Sequence, residues 1–179
     1  MNYNELELAL ARHFDCRKNL IVPNVFWGLG FNHELDLAIL THSGFLWEIE
    51  IKMTKADLKR DKQKGHGHYS NKIARLYFSY PEDMDGPEIR EHIPPRAGIV
   101  IVRNARQIRG SRILPAHADV VRAPVRNRDA RPLEKREQET MHKLAAMRIW
   151  SLKEHIHSMT TRYEKKKEKA GHTRIDAAN

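Results

Sequence analysis

The sequence is poor in cysteine: Cys16 is its single thiol among 179 residues. One cysteine excludes a disulfide framework and any zinc site built from several thiolates. No apolar run approaches the length of a membrane-spanning helix, and the first residues, MNYNELEL, lack the basic and apolar stretches of a signal peptide. We therefore expect a cytoplasmic protein that is neither secreted nor held in a membrane.

Three common signature motifs are also missing. The chain has no G-x-S-x-G nucleophile elbow, no phosphate-binding loop with a Walker lysine and no G-x-G-x-x-G fingerprint. These absences count against serine hydrolases of the α/β type, P-loop nucleotide hydrolases and dinucleotide-dependent enzymes. Any chemistry must therefore come from other residue types.

The charge of the chain indicates a partner. Lys and Arg number 32 against 23 Asp and Glu, which gives a net charge of +9 and a pI of about 9.8. Such a protein gains affinity for nucleic acid because each phosphate contact releases condensed counterions. A membrane surface is the competing partner, but it requires a basic amphipathic helix with large apolar anchors or a lipidation signal, and neither is evident. We predict DNA as the partner and no membrane.

Hydrophobic periodicity predicts an α/β body over residues 1–125. Asn4 is the predicted N-cap of the first helix, Pro23 indicates an edge strand, and Thr54 begins a charged helix. The predicted elements are a helix over 3–14, a strand within 19–27, a hairpin of strands 34–41 and 45–53, a helix over 55–64, a strand over 73–80, a loop or short helix over 81–92, a buried strand over 97–102 and one short strand within 103–122.

A long helix is predicted over residues 132–169, within a basic extension over 126–170, and residues 171–179 are predicted to form a disordered tail. The apolar residues of this helix recur at spacings of four and three: Ala145, Ile149, Leu152, Ile156, Met159 and Tyr163. Fewer than three heptads do not establish a coiled coil. The simpler interpretation is a helix that lies against the body, and the alternative is a homodimer through this helix.

One face of the predicted hairpin collects charged side chains. Because residues two apart on a strand share a face, Glu48, Glu50 and Lys52 point the same way, and Glu34 and Asp36 share a face of the neighbouring strand. Carboxylates on adjacent strands repel each other, so this arrangement costs stability unless a cation relieves it. Mg²⁺ prefers such oxygen ligands. The alternative is a solvated, charged hairpin face.

Asp36, followed after a turn by Glu50-Ile51-Lys52, resembles the signature of the PD-(D/E)xK superfamily of restriction-endonuclease-like nucleases. The resemblance implies a restriction-endonuclease-like core with a central mixed β-sheet flanked by helices. It further implies metal coordination by Asp36, Glu50 and the backbone carbonyl of Ile51, with Lys52 assisting the attacking water. The sequence departs from the signature at Leu35, where the pattern has proline.

The wider stretch ELDLAIL…EIEIKMTKADLKRD…NKIARLYFSYPEDM is similar to the MmcB-like DNA-repair and phage-encoded branch, over roughly residues 1–115. The resemblance implies a Mg²⁺-dependent endonuclease, with Mn²⁺ as substitute, that acts on DNA in repair, recombination or phage DNA processing. The alternative is a DNA-binding module on the same fold that does not cut. A third reading is a helix-mediated interaction protein.

Some members of this superfamily take a further acid from the first helix, for which Glu5 and Glu7 are candidates. Glu34 and Glu48 are candidates for outer metal ligands or for residues at the rim. His66 and His68 lie in a glycine-rich loop, where we favour phosphate contact over a zinc site because no third ligand is evident. The predicted nucleic-acid-binding residues are Lys55, Lys59, Arg60, Lys62, Lys64, His66, His68, Asn71 and Lys72.

Overall fold

A computed structural model of the chain describes residues 1–61, 68–108 and 112–176. The α-helices within these ranges are α1 (Tyr3–His13), α2 (Lys55–Asp61), α3 (Pro87–Arg90) and α4 (Lys135–Asp176). The strands are β1 (Leu20–Val25), β2 (Leu35–Leu40), β3 (Leu46–Ile51), β4 (Ile73–Pro81), β5 (Gly98–Arg103), β6 (Arg106–Gln107), β7 (Ile113–Leu114) and β8 (His117–Arg122). A 3-10 turn, Glu82–Met84, follows β4.

The described strands form a six-stranded mixed sheet in the order β1-β2-β3-β4-β5-β8 and a small ribbon of β6 and β7. Strand β2 is antiparallel to both β1 and β3, and β5 is antiparallel to β8, whereas β3, β4 and β5 run parallel to one another. A central mixed sheet flanked by helices is therefore confirmed. Pro23 lies on the edge strand β1, as predicted. Proline has no backbone N–H, and an edge strand does not need that donor on its open side. The described part of 103–122 holds three strands where one was predicted.

The predicted hairpin is β2 and β3, with Leu37 opposite Ile49 and Leu40 opposite Leu46. Its turn is closed by the Thr41 N–H, which donates to the Phe45 carbonyl over 2.9 Å. Gly44 has a φ of +80°, a left-handed conformation that other residues adopt only with strain.

The two faces of the sheet are covered by different helices. The apolar side of α1 packs with Leu37, Ile39, Ile49 and Ile51 in one buried cluster. Leu35, which a strict strand alternation would put on that face, instead joins the cluster on which α4 packs. Asn24 and Asp36, opposite each other between the pairs Pro23–Leu37 and Val25–Leu35, are not paired, and Asn24 has a φ of +52°, so the alternation is interrupted beside Leu35.

The predicted start of α1 at Tyr3 is confirmed, but the predicted N-cap is wrong. Asn2, not Asn4, is the N-cap, since its side chain accepts from the Glu5 N–H over 2.9 Å and Glu5 accepts from the Asn2 N–H over the same distance. Glu5 is thereby engaged in a capping box that satisfies the free N–H groups of the first turn.

The helix predicted over 132–169 is α4, and the tail predicted for 171–179 is helical as far as Asp176. Residues 177–179 lie outside the described ranges. The segment before α4 is bound to the body: the Asn127 side chain donates to the Ser70 and Ile73 carbonyls, and the Arg131 N–H donates to the Asn71 carbonyl. The boundary predicted at residues 125 and 126 therefore coincides with no break in packing.

Only the first part of α4 lies against the body. Leu133, Met141 and Leu144 are buried beside β1, and the Arg148 guanidinium donates to the Pro23 and Asn24 carbonyls. Beyond Arg148 the predicted apolar seam is between 54% and 70% exposed at Ile149, Leu152, Ile156, Met159 and Tyr163. The interpretation that the whole helix lies against the body is therefore wrong for this distal part. None of the described helices combines the length and apolar character needed to cross a membrane.

Candidate functional site

The central strand β3, together with Lys52 directly after it, places three ionisable side chains on one face. Glu48, Glu50 and Lys52 are only 0%, 2% and 3% exposed. The alternation of the sequence predicted that these side chains share a face, and it predicted this face as part of the protein surface. The structure instead buries the face inside the protein. Charged residues are almost never this buried unless they are paired.

Asp36 joins this face because the β2–β3 ladder ends early. The last residue pair is Leu37 with Ile49, and beyond it the Ile51 N–H donates to Asp36 Oδ2 over 2.8 Å. The carboxylate takes the place of a strand partner. Asp36, Glu50, Ile51 and Lys52 consequently line one cavity of about 350 Å³.

Lys52 is held on Glu50. Its Nζ lies 2.8 Å from Glu50 Oε2 and 5.9 Å from the centre of the Phe78 ring, and its backbone N–H donates to the Ser79 carbonyl of β4. Removing two such charges from water costs free energy that their mutual attraction only partly returns. The pair is thus poorly explained by stability alone.

Two histidines complete the site. His33, in the segment before β2, and His68, before β4, each place a ring nitrogen 2.8 Å from Glu48 Oε1. Their rings meet edge to face, with centroids 4.9 Å apart. His68 is buried, so the role in phosphate contact predicted for it is replaced by contact with a carboxylate.

The two strand glutamates have opposite pKa shifts. Burial, followed by repulsion from Asp36, raises the pKa of Glu50 to about 8, although Lys52 and His68 counteract part of the shift. Burial also acts to raise the pKa of Glu48, but its hydrogen bonds to His33 and His68 outweigh that effect and lower it. Divergent pKa values of neighbouring acids are typical of functional sites.

Within the part of the chain that the structure describes, two buried oxygens of this cluster have no hydrogen-bond partner, Glu48 Oε2 and Glu50 Oε1. One ligand atom from each of His33, Glu48, Glu50 and His68 lies within 4.8 Å of the others. Buried polar atoms are normally satisfied, so an unpartnered pair of carboxylate oxygens calls for an explanation. The donor set and its spacing fit a divalent cation.

No family model matches the chain, and no curated protein matches it. Among solved structures it is similar to the SPO1766 protein of unknown function from Silicibacter pomeroyi, with a TM-score of 0.56 and 20% identity over 82% of this chain and 86% of that one. At this identity the similarity shows the fold alone.

Of the two acids predicted as candidates on the first helix, Glu7 lies closer to the charge of Asp36 and Glu5 is engaged elsewhere. Glu5 is held by Asn2 and lines a separate cavity of about 630 Å³ beside β7. Glu7 is half-buried, and its pKa is raised by burial and by the charge of Asp36. Tyr3 lines the cavity of Asp36 and Glu50, and burial, followed by the charge of Asp36, raises its pKa as well. A spacing of four residues puts Tyr3 and Glu7 on the same side of α1.

As far as helix α2, the other residues predicted to bind metal or nucleic acid lie at the rim of the cavity or on that helix. Glu34 is exposed and lines the cavity, whereas Lys55, Lys59 and Arg60 are exposed on α2, with Lys55 bound to Glu88 over 2.9 Å.

The residues predicted beyond α2 divide into three groups. Asn71 is exposed, but Lys72 is half-buried and ion-paired with Glu137 over 2.9 Å, which ties it to α4. The predictions for Lys62, Lys64 and His66 fall outside the described residues.

Sequence reasoning missed His33, and it named Glu7 as a candidate without separating it from Glu5. His33 lies 15 residues from Glu48 in a segment without periodicity, and no spacing rule connects the two. For Glu7 the signal was available, because the helical repeat that places Leu6 and Leu10 in the core also turns Glu7 toward β2.

Proposed function

We propose that the chain is a metal-dependent nuclease that hydrolyses phosphodiester bonds in DNA, on a restriction-endonuclease-like core. The observation that carries the proposal is the convergence of Asp36, Glu50 and Lys52 on one cavity. Two carboxylates and an amine held in this way match the chemistry of the PD-(D/E)xK signature. Their burial adds support, since a charged group that costs stability is retained where it serves a function.

Each residue has a defined task in this proposal. Asp36 and Glu50, with the backbone carbonyl of Ile51, would hold Mg²⁺ or Mn²⁺. When bound, such an ion polarises the phosphodiester and lowers the pKa of a coordinated water. Lys52, positioned by Glu50 Oε2 and by the hydrogen bond of its backbone N–H to the Ser79 carbonyl, orients the attacking water or neutralises charge that develops on the phosphate.

The basic surface beside the cavity suits a nucleic-acid substrate. Helix α2 follows β3 directly, so its exposed Lys55, Lys59 and Arg60 lie at the end of the strand that carries Glu50 and Lys52. Long cationic side chains at such a position would meet backbone phosphates and set the orientation of the DNA without reading its sequence.

Cleavage by the full chain tests the proposal. Single-stranded, duplex and branched DNA are incubated with wild type and with Asp36→Asn, Glu50→Gln and Lys52→Met, in Mg²⁺, in Mn²⁺ and in chelator. We expect metal-dependent cutting by wild type and a loss of more than about 100-fold in each variant, since even residues that only orient a metal ligand are worth roughly 10- to 100-fold. Asp129→Asn and Lys18→Met, both at exposed positions, are the matched controls and should cut like wild type.

The same experiment distinguishes the rival function. If wild type binds DNA but does not cut any of the three forms in either metal, the chain is a DNA-binding module and the nuclease proposal fails. Cutting that survives in all three variants would show that the activity lies elsewhere in the preparation.

A further inference from the structure

The carboxylate of Glu50 faces two neighbours. Its Oε2 is paired with Lys52, whereas its Oε1 has no hydrogen-bond partner among the described residues and lies 3.7 Å from His68 Nδ1. On the His68 side the next groups are Glu48 and His33. Glu50 therefore stands between Asp36 and a cluster rich in imidazole, and both histidines of that cluster line the same cavity as Asp36.

We propose that His33, Glu48, Glu50 and His68 form a binding site for a divalent transition-metal ion of the Zn²⁺ type. The donor set decides the class of ion. Imidazole nitrogens together with carboxylate oxygens suit Zn²⁺ and its transition-metal neighbours, whereas Mg²⁺ takes oxygen ligands almost exclusively. The site is thus different in kind from the Mg²⁺ position expected between Asp36 and Glu50.

The distances allow such an ion with little movement. Nitrogen and oxygen ligands of Zn²⁺ lie roughly 2.0–2.2 Å from the metal, so ligand atoms around one ion are separated by about 3.3–3.6 Å in a tetrahedron. The ligand atoms of this cluster already lie within 4.8 Å of one another. Two of the four ligands are on β3, the rigid centre of the sheet, which limits the adjustment to the side chains of the two histidines.

The ion would also account for the two unpartnered oxygens. Glu48 uses Oε1 for both histidines, and its Oε2 remains buried without a partner, as does Glu50 Oε1. A cation among these atoms gives each of them a ligand bond. Without the ion, the hydrogen bonds from the histidines to Glu48 hold the rings close to the positions that coordination requires, and a bound ion would replace the ring protons, which leave to solvent.

Ion binding by the full chain without DNA tests this inference, so its outcome does not depend on whether the protein cuts DNA. Chelator-stripped protein is titrated with Zn²⁺ in competition with a fluorescent chelator, with and without a large excess of Mg²⁺. We expect one Zn²⁺ per chain that excess Mg²⁺ does not displace. His33→Ala and His68→Gln should each weaken binding by about 100-fold or more, beyond the cost of losing an orienting residue. His42→Ala, at an exposed histidine of the β2–β3 turn, is the matched control and should bind like wild type.

A spectrum keeps the inference testable if either variant fails to fold. Co²⁺ added to wild type should produce the visible absorption of an ordered four- or five-coordinate site, and Zn²⁺ should remove it while Mg²⁺ should not. The inference is overturned if wild type lacks a one-to-one site, if Mg²⁺ displaces the ion, or if His42→Ala abolishes binding while His33→Ala does not.

Discussion

Strand β3 and the distal part of α4 depart from the usual distribution of residues in opposite directions. β3 buries Glu48, Glu50 and Lys52, whereas α4 exposes apolar side chains from Ile149 to Tyr163. Buried charge and exposed apolar surface are the informative exceptions in a folded protein, because both cost free energy. They differ in how the structure supports them: the charges on β3 contact one another and two histidines, whereas the seam on α4 projects beyond the body.

The buried charges and the exposed apolar side chains also differ in how they are arranged. The charged face of β3 is organised by short contacts from three different segments of the chain, as expected of a site that holds a ligand. The seam has a regular spacing but lies on one helix alone. It is flanked by basic residues, Lys153 and Arg162 among them, which would repel one another between paired copies. The homodimer stays a prediction.

The largest expected effect concerns the apolar face of β3. Ile49 is fully buried beside α1, so Ile49→Ala should lower the free energy of unfolding by about 2–5 kcal/mol in urea denaturation. Ile156→Ala, at an exposed position of the seam, is its control. A loss below about 1 kcal/mol at Ile49 would show that this face is not the core that holds the sheet.

The charged face of β3 should behave in the opposite way. Replacement of the ion pair by Glu50→Met with Lys52→Met leaves a buried apolar pair of similar size, and such replacements are neutral or stabilising by about 1–4 kcal/mol. We expect the double variant to unfold no more easily than metal-free wild type in urea, and to lose DNA cleavage. Marked destabilisation would mean that the ion pair stabilises the fold. The stability cost of burying the pair could then no longer be taken as a sign of function.

The stability of the metal-free protein should depend on pH through Glu50. The pKa of Glu50 is about 8 in the folded state against 4.5 for an ordinary glutamate, because of burial, Asp36 and Glu48. The folded state therefore binds more protons than the unfolded state between these values, so the free energy of unfolding falls as pH rises from about 4.5 to 8. Urea denaturation in chelator at several pH values should show a shallower decline for Glu50→Gln than for wild type. If the free energy of unfolding depends on pH in the same way in both proteins, Glu50 is not the group responsible for the decline.

The smallest effect on stability is expected on the distal part of α4. Ile156→Lys changes an exposed side chain, so the free energy of unfolding should move by no more than about 0.5 kcal/mol. Light scattering of the full chain measures whether the seam pairs two copies, and a dimer in wild type that Ile156→Lys dissociates would confirm that prediction. Truncation to test this should begin after Trp150, since Met141 and Leu144 belong to the core.

The sequence was most informative where a period repeats. Alternation over β2 and β3 predicted the hairpin and put Glu48, Glu50 and Lys52 on one face, because the strand repeat leaves no other arrangement. It did not predict their burial, which depends on the elements that cover the sheet. Nor did it distinguish Asn2-x-x-Glu5 from Asn4-x-x-Glu7 as a cap, since both spacings satisfy the same rule.

Other features depend on where regular structure stops. Asp36 reaches the Ile51 N–H because the β2–β3 ladder ends at Leu37, and His33 and His68 reach Glu48 from segments outside the strands. Periodicity carries no information about such segments. The apolar repeat of α4 likewise predicts a seam, but it does not say how far the body extends along the helix.

A crystal of the protein soaked in Mn²⁺ tests the central claim most directly, through the anomalous scattering of the ion. The account predicts a peak at the carboxylate of Glu50, shared with Asp36 and close to Lys52. A map with no peak in contact with Glu50, or an ion bound only at the protein surface, would contradict it.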